Sequence, residues 1–305
     1  MRATFIHGAG DIRVADAPDP DAGLLGFRRV SDTLGSTHWY LRLLRDESIA
    51  AERLARILAT SRYATELVLQ APESVAMLAD EADLEPRSLE AIRVEVQSVV
   101  DRHEDPTRAV AAIRSIRRRE LFRLAAREVL GPPSPDAAGS ALSDVAIAAV
   151  EGALRVAREI SDPDGLVDFA LVGMGRFGGH ELGFGSDIDV MFVYEPRDGV
   201  EDEPALRAAK SIAEELRRLL MVPSGDPPLD IDADLRPEGK QGSLVRSLGS
   251  YASYYDRWSA TWEAQALLRA DVVAGDEPLG SAFRALIDPL RWSDPLRPDQ
   301  VLEVR

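Results

Sequence analysis

From Gly23 to roughly Ala153, apolar side chains return every three or four positions, as in Leu54, Ile57 and Leu58 and again in Ile113, Ile116, Leu121, Leu124 and Val129. That spacing is the signature of helices with one face turned inward. Breaks fall at Ala71-Pro72, Glu85-Pro86, Asp105-Pro106 and the run Gly131-Pro132-Pro133-Ser134-Pro135, because a proline ring cannot continue a helix. Residues 22–160 are therefore predicted as a region of several helices. Residues 1–21 do not share the pattern: MRATFIHGAGDIRVADAPDPD reads as two short strands around a glycine turn, followed by a Pro-Asp linker.

The chain changes character after Asp164. Leu166 to Val172 reads as an apolar strand, Gly173 to Gly185 is rich in glycine, and Ile188 to Tyr194 reads as a second strand. A long helix follows, its apolar stripe formed by Leu206, Ala209, Ile212, Leu216, Leu219 and Leu220. Beyond the turn-forming run Pro223 to Pro228, Leu229 to Leu235 alternates apolar and acidic residues, which predicts a strand with one buried face. The fold class is α+β: a helical region, then a domain with a small mixed sheet over residues 161–280, then the start of another helical region over 281–305. No internal repeat is visible.

Charge narrows the function. With 52 acidic against 36 basic residues the formal net charge is −16, which argues against a protein that coats nucleic acid, since phosphate backbones are bound by Lys and Arg. There is no cysteine, so disulfides and thiolate metal sites are excluded, and four scattered histidines make a His-rich zinc site a poor fit. No apolar run approaches the roughly 18 residues that span a bilayer, and the N-terminus lacks the basic and apolar regions of a signal peptide, so a cytoplasmic location with no membrane partner is expected. Arg114, Arg117, Arg118, Arg119 and Arg123 form a basic cluster, which is read as a solvated helix face paired with Glu120 and Glu128.

One site for hard-cation chemistry stands out. In Ser186-Asp187-Ile188-Asp189-Val190 two carboxylates are two residues apart at a strand start, so both face the same side while Ile188, Val190, Phe192 and Tyr194 face the core. Two like charges held parallel on a rigid strand repel, and a divalent cation is the commonest relief. Asp230, Asp232 and Asp234 offer a third carboxylate if their strand pairs beside the first. Oxygen ligands of this kind suit Mg²⁺ that keeps waters and phosphate oxygens in its shell. Upstream, Gly173-Met174-Gly175-Arg176-Phe177-Gly178-Gly179 follows a strand and precedes His180-Glu181-Leu182, read as the opening of a helical turn; backbone N–H groups there suit phosphates. A dinucleotide fold does not place an Asp-x-Asp pair at the start of the next strand.

Strand, Gly-Gly, Asp-x-Asp and a separate apolar-Asp-apolar strand, in that order, resemble the polymerase β nucleotidyltransferase superfamily. The segments GMGRFGGHELGFGSDIDVMFVYEP and DADLRPEGKQGSLVRSLGSYASYYDRWSATWEAQALLRADVVAGD resemble the glutamine synthetase adenylyltransferase family more closely, as do LLGFRRVSDTLGSTHWYLRLLRDE and IRRRELFRLAAREVLG upstream. The resemblance covers nearly the whole chain after residue 22. It implies one of two related catalytic units: one attaches AMP from ATP to a tyrosine of glutamine synthetase, the other removes it by phosphorolysis. Gly185-Ser186 before Asp187 and the run Trp262 to Ala270 look more like the attaching unit; the removing unit and a catalytically idle glutamine synthetase-binding module are the alternatives. Asp187, Asp189 and Asp232 are then the catalytic and metal carboxylates, with Asp232 acting on the tyrosine hydroxyl. Gly178, Gly179 and Ser186 are candidate phosphate contacts, and Arg236, Lys240 and Arg269 candidate charge partners. Glutamine synthetase is the implied partner, with a nitrogen-signalling regulatory protein a further one. Asp234 is set apart as an unrelated carboxylate on the same strand face. Tyr254, Trp258 and Trp262 are read as core. Residues 1–20 separately resemble the first strands of medium-chain, zinc-type alcohol dehydrogenases, although nothing downstream supplies their metal ligands or dinucleotide fold. The segment 1–21 is thus expected to be a fused piece or an irregular start.

Overall fold

The computed structural model describes residues 5–7, 10–12, 19–35, 37–46, 48–258 and 261–292. Their contacts divide the chain into two compact units, one from Met1–Ser88 with Arg114–Val145, the other from Leu89–Ile113 with Ala146–Arg305.

The first unit is mainly helical. Strands β1 (Phe5–His7) and β2 (Gly10–Ile12) form an antiparallel pair, as the glycine turn between them predicts. Helices α1 (Pro20–Leu34), α2 (His38–Asp46), α3 (Ser48–Thr60) and α4 (Arg62–Gln70) follow. The prolines act as helix starts. Pro20 occupies the first turn of α1, and the Asp19 carboxylate accepts the Ala22 N–H at 3.0 Å. Pro72 opens a 3₁₀ stretch to Leu78. α5 (Leu89–Arg102) belongs to the second unit, while α6 (Pro106–Leu130), opened by Pro106, and α7 (Pro135–Ser161), opened by Pro135, each have residues in both. By length and composition α7 matches a bilayer span, but 67% of its most apolar stretch is buried inside the fold, as in the core helix of a water-exposed domain.

The arginine cluster on α6 corrects the reading of a solvated face. Arg114 and Arg117 are buried, and Glu120 is 1% exposed. Its carboxylate accepts from Arg123 at 2.8 Å, Arg87 at 3.1 Å and Arg119 at 3.2 Å. The periodicity did not flag this because α6 is wrapped on more than one side, and a buried carboxylate needs several cationic donors to offset its lost hydration.

The second unit carries the sheet. β3 (Val167–Gly173) pairs antiparallel with β4 (Ile188–Pro196) and with β7 (Asp271–Gly275). β5 (Ile231–Asp232) and β6 (Val245–Ser247) pair parallel with successive stretches of β4. The spatial order is β5-β4-β3-β7, with β6 also beside β4, so the expected small mixed sheet is present. Between these strands lie α8 (Gly175–Gly178), α9 (Asp202–Met221), α10 (Leu248–Trp258) and α11 (Thr261–Leu267), and α12 (Glu277–Arg291) follows β7.

Both sheet faces are covered, which explains why β3 and β4 read as continuous apolar runs rather than alternating ones. On one face Ala170, Val172, Met191 and Val193 join Tyr251, Tyr255, Leu267, Leu279, Phe283 and Ile287 of α10 to α12. Register places Phe169 opposite Tyr194 and Leu171 opposite Phe192 on the other, where α9 packs against β3 to β6. The stripe on α9 is Ala205, Ala208, Ala209, Ile212, Ala213, Leu216, Leu219 and Leu220; Leu206, expected in it, is exposed. At the end of β7 a Cβ on Gly275 would stand 2.1 Å from the Phe169 carbonyl, and its φ of +105° also demands glycine. Asp276 next to it accepts the Phe169 N–H at 2.7 Å and an Arg158 guanidinium N–H at 2.8 Å, tying α7 to the sheet edge.

Glu120→Gln is expected to destabilise the chain by about 3–5 kcal/mol, because it removes the buried charge that Arg87, Arg119 and Arg123 share. Urea unfolding measures this, and a loss below about 1 kcal/mol would place the arginines in solvent.

Candidate active site

The site forms where four strand ends meet: the end of β3, the start of β4, β5 and the start of β7. Its first device is a close approach of backbone to carboxylate. β3 ends at Gly173, and the Met174 N–H then donates to the Asp189 carbonyl at 2.8 Å. At Gly175 the chain turns with φ of +52°, and a Cβ there would lie 2.4 Å from Asp189 Oδ2. Only glycine permits both the conformation and the contact. Gly175 therefore cradles the Asp189 carboxylate, a role that the glycine count alone did not single out from its neighbours.

The second device is strand register. β4 and β5 run parallel with Ile188 opposite Ile231 and Asp189 opposite Asp232. Asp189 and Asp232 are half-buried and Asp187, just before β4, is exposed. Burial pushes the Asp189 carboxyl above the ordinary range for Asp, and the charges of Asp187 and Asp232 push it the same way. The three carboxylates thus share one electrostatic neighbourhood. Among the described residues, no three Asp, Glu or His side chains are so placed that they could hold a metal ion by themselves. A hard cation here would complete its coordination with water and phosphate oxygens, as the donor chemistry of an open carboxylate site favours.

The expected strand over 229–235 shortens to two residues for a local reason. Asp232 Oδ1 accepts the Asp234 N–H at 2.7 Å, an Asx turn that takes the chain out of the ladder. Asp234 is thereby separated from the acidic group: it meets Lys240 Nζ at 3.1 Å and Arg236 at 3.6 Å.

The other expected site residues fall into different roles. Gly178 is buried, and a Cβ would stand 2.1 Å from the Arg269 carbonyl and 2.3 Å from that of Gly173, so packing requires glycine there. The N–H groups of Gly178 and Gly179 donate to Met174 O at 2.8 Å and Gly175 O at 3.1 Å, which engages them inside the turn. Ser186 Oγ accepts the Gly183 N–H at 3.1 Å, shaping the loop that leads into Asp187. Arg236, its side chain 11% exposed, donates to the carbonyls of Ala233, Lys240 and Gly242 and so fastens the loop after β5. Arg269 pairs with Glu181 at 2.8 Å. The helical turn expected to open at His180 is instead α8, which closes before it; His180 has φ of +55° and its Nε2 stands 3.2 Å from Asp271 Oδ2. Of the aromatic residues expected in the core, Tyr254 is half-buried and donates to the buried Glu263 at 2.9 Å, whereas Trp262 is 51% exposed; the Trp258 side chain lies outside the described part.

A mixed five-stranded sheet with Asp-x-Asp at the start of one strand, a third Asp beside it and a glycine-rich turn against both defines a nucleotidyltransferase-like α+β domain. The model of the glutamate-ammonia ligase adenylyltransferase family matches residues 51–286, and the chain belongs to that family. It is 53% identical over 310 residues to the bifunctional glutamine synthetase adenylyltransferase/adenylyl-removing enzyme of Streptomyces avermitilis, covering 95% of this chain and 31% of that protein. The enzyme of the same description from Streptomyces coelicolor is 53% identical over 308 residues, with 95% and 31% covered. That from Leifsonia xyli subsp. xyli is 49% identical over 287 residues, with 94% and 28% covered. The chain thus spans about a third of the length of these curated relatives.

The raised Asp189 carboxyl has a consequence for stability. A carboxyl whose folded pKa exceeds its unfolded value destabilises the fold as pH rises from about 4 through the folded value. Asp189→Asn is therefore expected to be more stable than the parent at neutral pH in the presence of a chelator, with the difference vanishing in acid below about pH 4. Thermal unfolding across pH checks this, and a neutral-pH loss of stability would show that the carboxylate is held by compensating donors.

Proposed function

We propose that this chain transfers AMP from ATP to a tyrosine hydroxyl of glutamine synthetase, in the cytoplasm, with Mg²⁺ as the metal and Asp187, Asp189 and Asp232 as the acting carboxylates. The observation that carries the reading is the parallel register that sets Asp232 beside Asp189, with Asp187 two residues upstream. Family membership supports the reaction class, and the names of the relatives supply glutamine synthetase as the acceptor. Ser186 before Asp187 and the run Trp262 to Ala270 favour transfer to the acceptor over removal from it. A regulatory protein that reports nitrogen status belongs to the same reading.

The chemistry follows from what these side chains do. The tyrosine oxygen forms a bond to the α-phosphorus of ATP, the bond from that phosphorus to the oxygen bridging the β-phosphorus breaks, and the electron pair leaves with pyrophosphate. A phenol has a pKa of about 10, so a carboxylate that receives its proton is needed near neutral pH. Asp232 is suited to this because its backbone is held in β5 while one carboxylate oxygen is fixed by the Asp234 N–H. Asp189, cradled by Gly175 and pressed by two like charges, and the exposed Asp187 would hold Mg²⁺ together with Asp232. When bound, the cation supplies neutralisation of phosphate charge, which is the main requirement of phosphoryl and nucleotidyl transfer. The parallel pairing of β4 with β5, and α9 packed against both, keep the two carboxylate-bearing strands from drifting apart.

The test is incorporation of label from α-labelled ATP into glutamine synthetase. Asp187→Asn and Asp232→Asn are each expected to slow transfer by about 10³-fold, the loss of several kcal/mol of transition-state stabilisation. Asp232→Asn should do so with nucleotide affinity largely kept. Asp234→Asn, which breaks ion pairs with Lys240 and Arg236 only, should cost less than about tenfold. A larger rate loss at Asp234 than at Asp232 would overturn the assignment of the third carboxylate, and a parent chain that transfers no label would overturn the reaction.

A further inference from the structure

The loop after β5 is folded around one side chain. Arg236, its side chain 11% exposed, donates through Nη1 to the Ala233 carbonyl at 2.7 Å, through Nε to that of Gly242 at 3.1 Å and through Nη2 to that of Lys240 at 3.2 Å. The backbone N–H of Arg236 also donates to the Ala233 carbonyl, at 3.3 Å. The chain adopts uncommon conformations to bring these carbonyls together. Glu238 has φ of +65° and Gly239 φ of +56°, and a Cβ on Gly242 would stand 2.1 Å from the Pro237 carbonyl. The Asp234 carboxylate lies farther from the guanidinium than any of the three carbonyls, at 3.6 Å, so Arg236 is committed first to backbone.

The Ala233 carbonyl differs from the other two in what it is joined to. It belongs to the same peptide unit as the Asp234 N–H, and that N–H donates to Asp232 Oδ1 at 2.7 Å. In a trans peptide the carbonyl and the N–H point to opposite sides of one rigid plane. The guanidinium therefore grips one side of this plane, and the other side grips the Asp232 carboxylate. Fixing the carbonyl fixes the direction of the N–H. A charged donor on the carbonyl also polarises the unit and strengthens the N–H as a donor. Without the guanidinium the plane is free to turn about its flanking bonds, and the Asp232 side chain regains its other rotamers.

We propose that Arg236 is a positioning residue, which through the Ala233–Asp234 peptide holds the Asp232 carboxylate in the orientation that receives the tyrosine proton. The inference rests on the nucleotide-transfer reading of the carboxylate site and adds to it a residue that acts without touching ATP or the acceptor. A carboxylate that rotates away from the acceptor slows the chemical step, whereas nucleotide binding, which draws on the other carboxylates, changes little. The Asp234 side chain is outside this relay, because Asp234→Asn keeps both the peptide plane and its N–H.

The experiment joins two measurements on the full chain: transfer kinetics with glutamine synthetase and α-labelled ATP, and the amide resonance of Asp234 after isotopic labelling of aspartate, assigned by its loss in Asp234→Asn. The chains compared are the parent, Arg236→Gln, Arg236→Lys and Arg158→Gln. Arg158 is the comparator because it too is a partly buried arginine that donates to backbone, to the Val167 carbonyl at 3.3 Å, but at the end of β3 opposite the carboxylates. Arg236→Gln is expected to lower kcat by roughly ten- to a hundredfold, the worth of a hydrogen bond from a charged donor, with KM for ATP kept within about twofold. Its Asp234 amide proton should move upfield as the bond to Asp232 weakens. Arg236→Lys should recover part of both. Arg158→Gln should lower the melting temperature and leave kcat and the Asp234 amide as in the parent. A parental kcat or an unmoved Asp234 amide in Arg236→Gln, or in Arg236→Lys where only that variant folds, would overturn this inference alone, as would an equal loss of kcat in Arg158→Gln. A parent chain that transfers no label would overturn the reading of the site itself, and this inference with it.

Discussion

Asp189 and Asp232 stand side by side on parallel strands, with Asp187 two residues upstream, and the sheet gives the paired two no way out. Hydrogen bonding fixes the register, and both faces of β3 and β4 are packed by helices, so the like charges cannot be relieved by a shift of one strand. A one-residue slip would turn Ile188, Val190 and Phe192 out of their buried positions, at a cost far larger than the repulsion between partly hydrated carboxylates. The elevated Asp189 carboxyl records that conflict in the folded chain. On the proposed reading, stability and function pull against each other here, as they commonly do at a site that takes a cationic ligand.

The surrounding backbone is arranged to maintain the conflict. Gly175 lets the turn after β3 approach Asp189 where any side chain would collide with it, and Gly178 lets the same turn settle on the Arg269 and Gly173 carbonyls. The Asx turn at Asp232 ends β5 after two residues and sends Asp234 to Lys240 and Arg236. Near-identical aspartates two positions apart thereby acquire different surroundings: Asp232 stands beside Asp189 on the neighbouring strand, whereas Asp234 pairs directly with Lys240 and Arg236. The loop after β5 is fastened in turn by Arg236, whose guanidinium serves three carbonyls rather than a ligand.

Much of this was legible in the residue pattern, for physical reasons that can be named. β3, β4 and α9 are long and strongly apolar, so their type and place are visible without knowledge of their neighbours. The pairing of Asp187 with Asp189 needs only the two-residue period of a strand. Less visible were features set by single hydrogen bonds. Alternation from Leu229 to Leu235 cannot reveal that the Asp232 side chain will take the Asp234 N–H and end the ladder. The glycine-rich segment advertises close backbone approach without saying which N–H groups are engaged within the turn, as those of Gly178 and Gly179 are, or which glycine meets Asp189, as Gly175 does. The arginines of α6 look like a solvated face until the tertiary packing that encloses Glu120 is known, and Trp262, with helical spacing, turns out to be half exposed.

The central claim is that register-locked acids form one cation site. Titration of the chain with Mn²⁺ as a spectroscopic substitute for Mg²⁺, followed by electron paramagnetic resonance with and without ATP, addresses it most directly. The account predicts a saturable site that ATP strengthens and that Asp187→Asn and Asp189→Asn each weaken by about tenfold or more, the least expected from loss of one charged ligand. Saturable binding that neither substitution alters, or no saturable binding with ATP present, would contradict it.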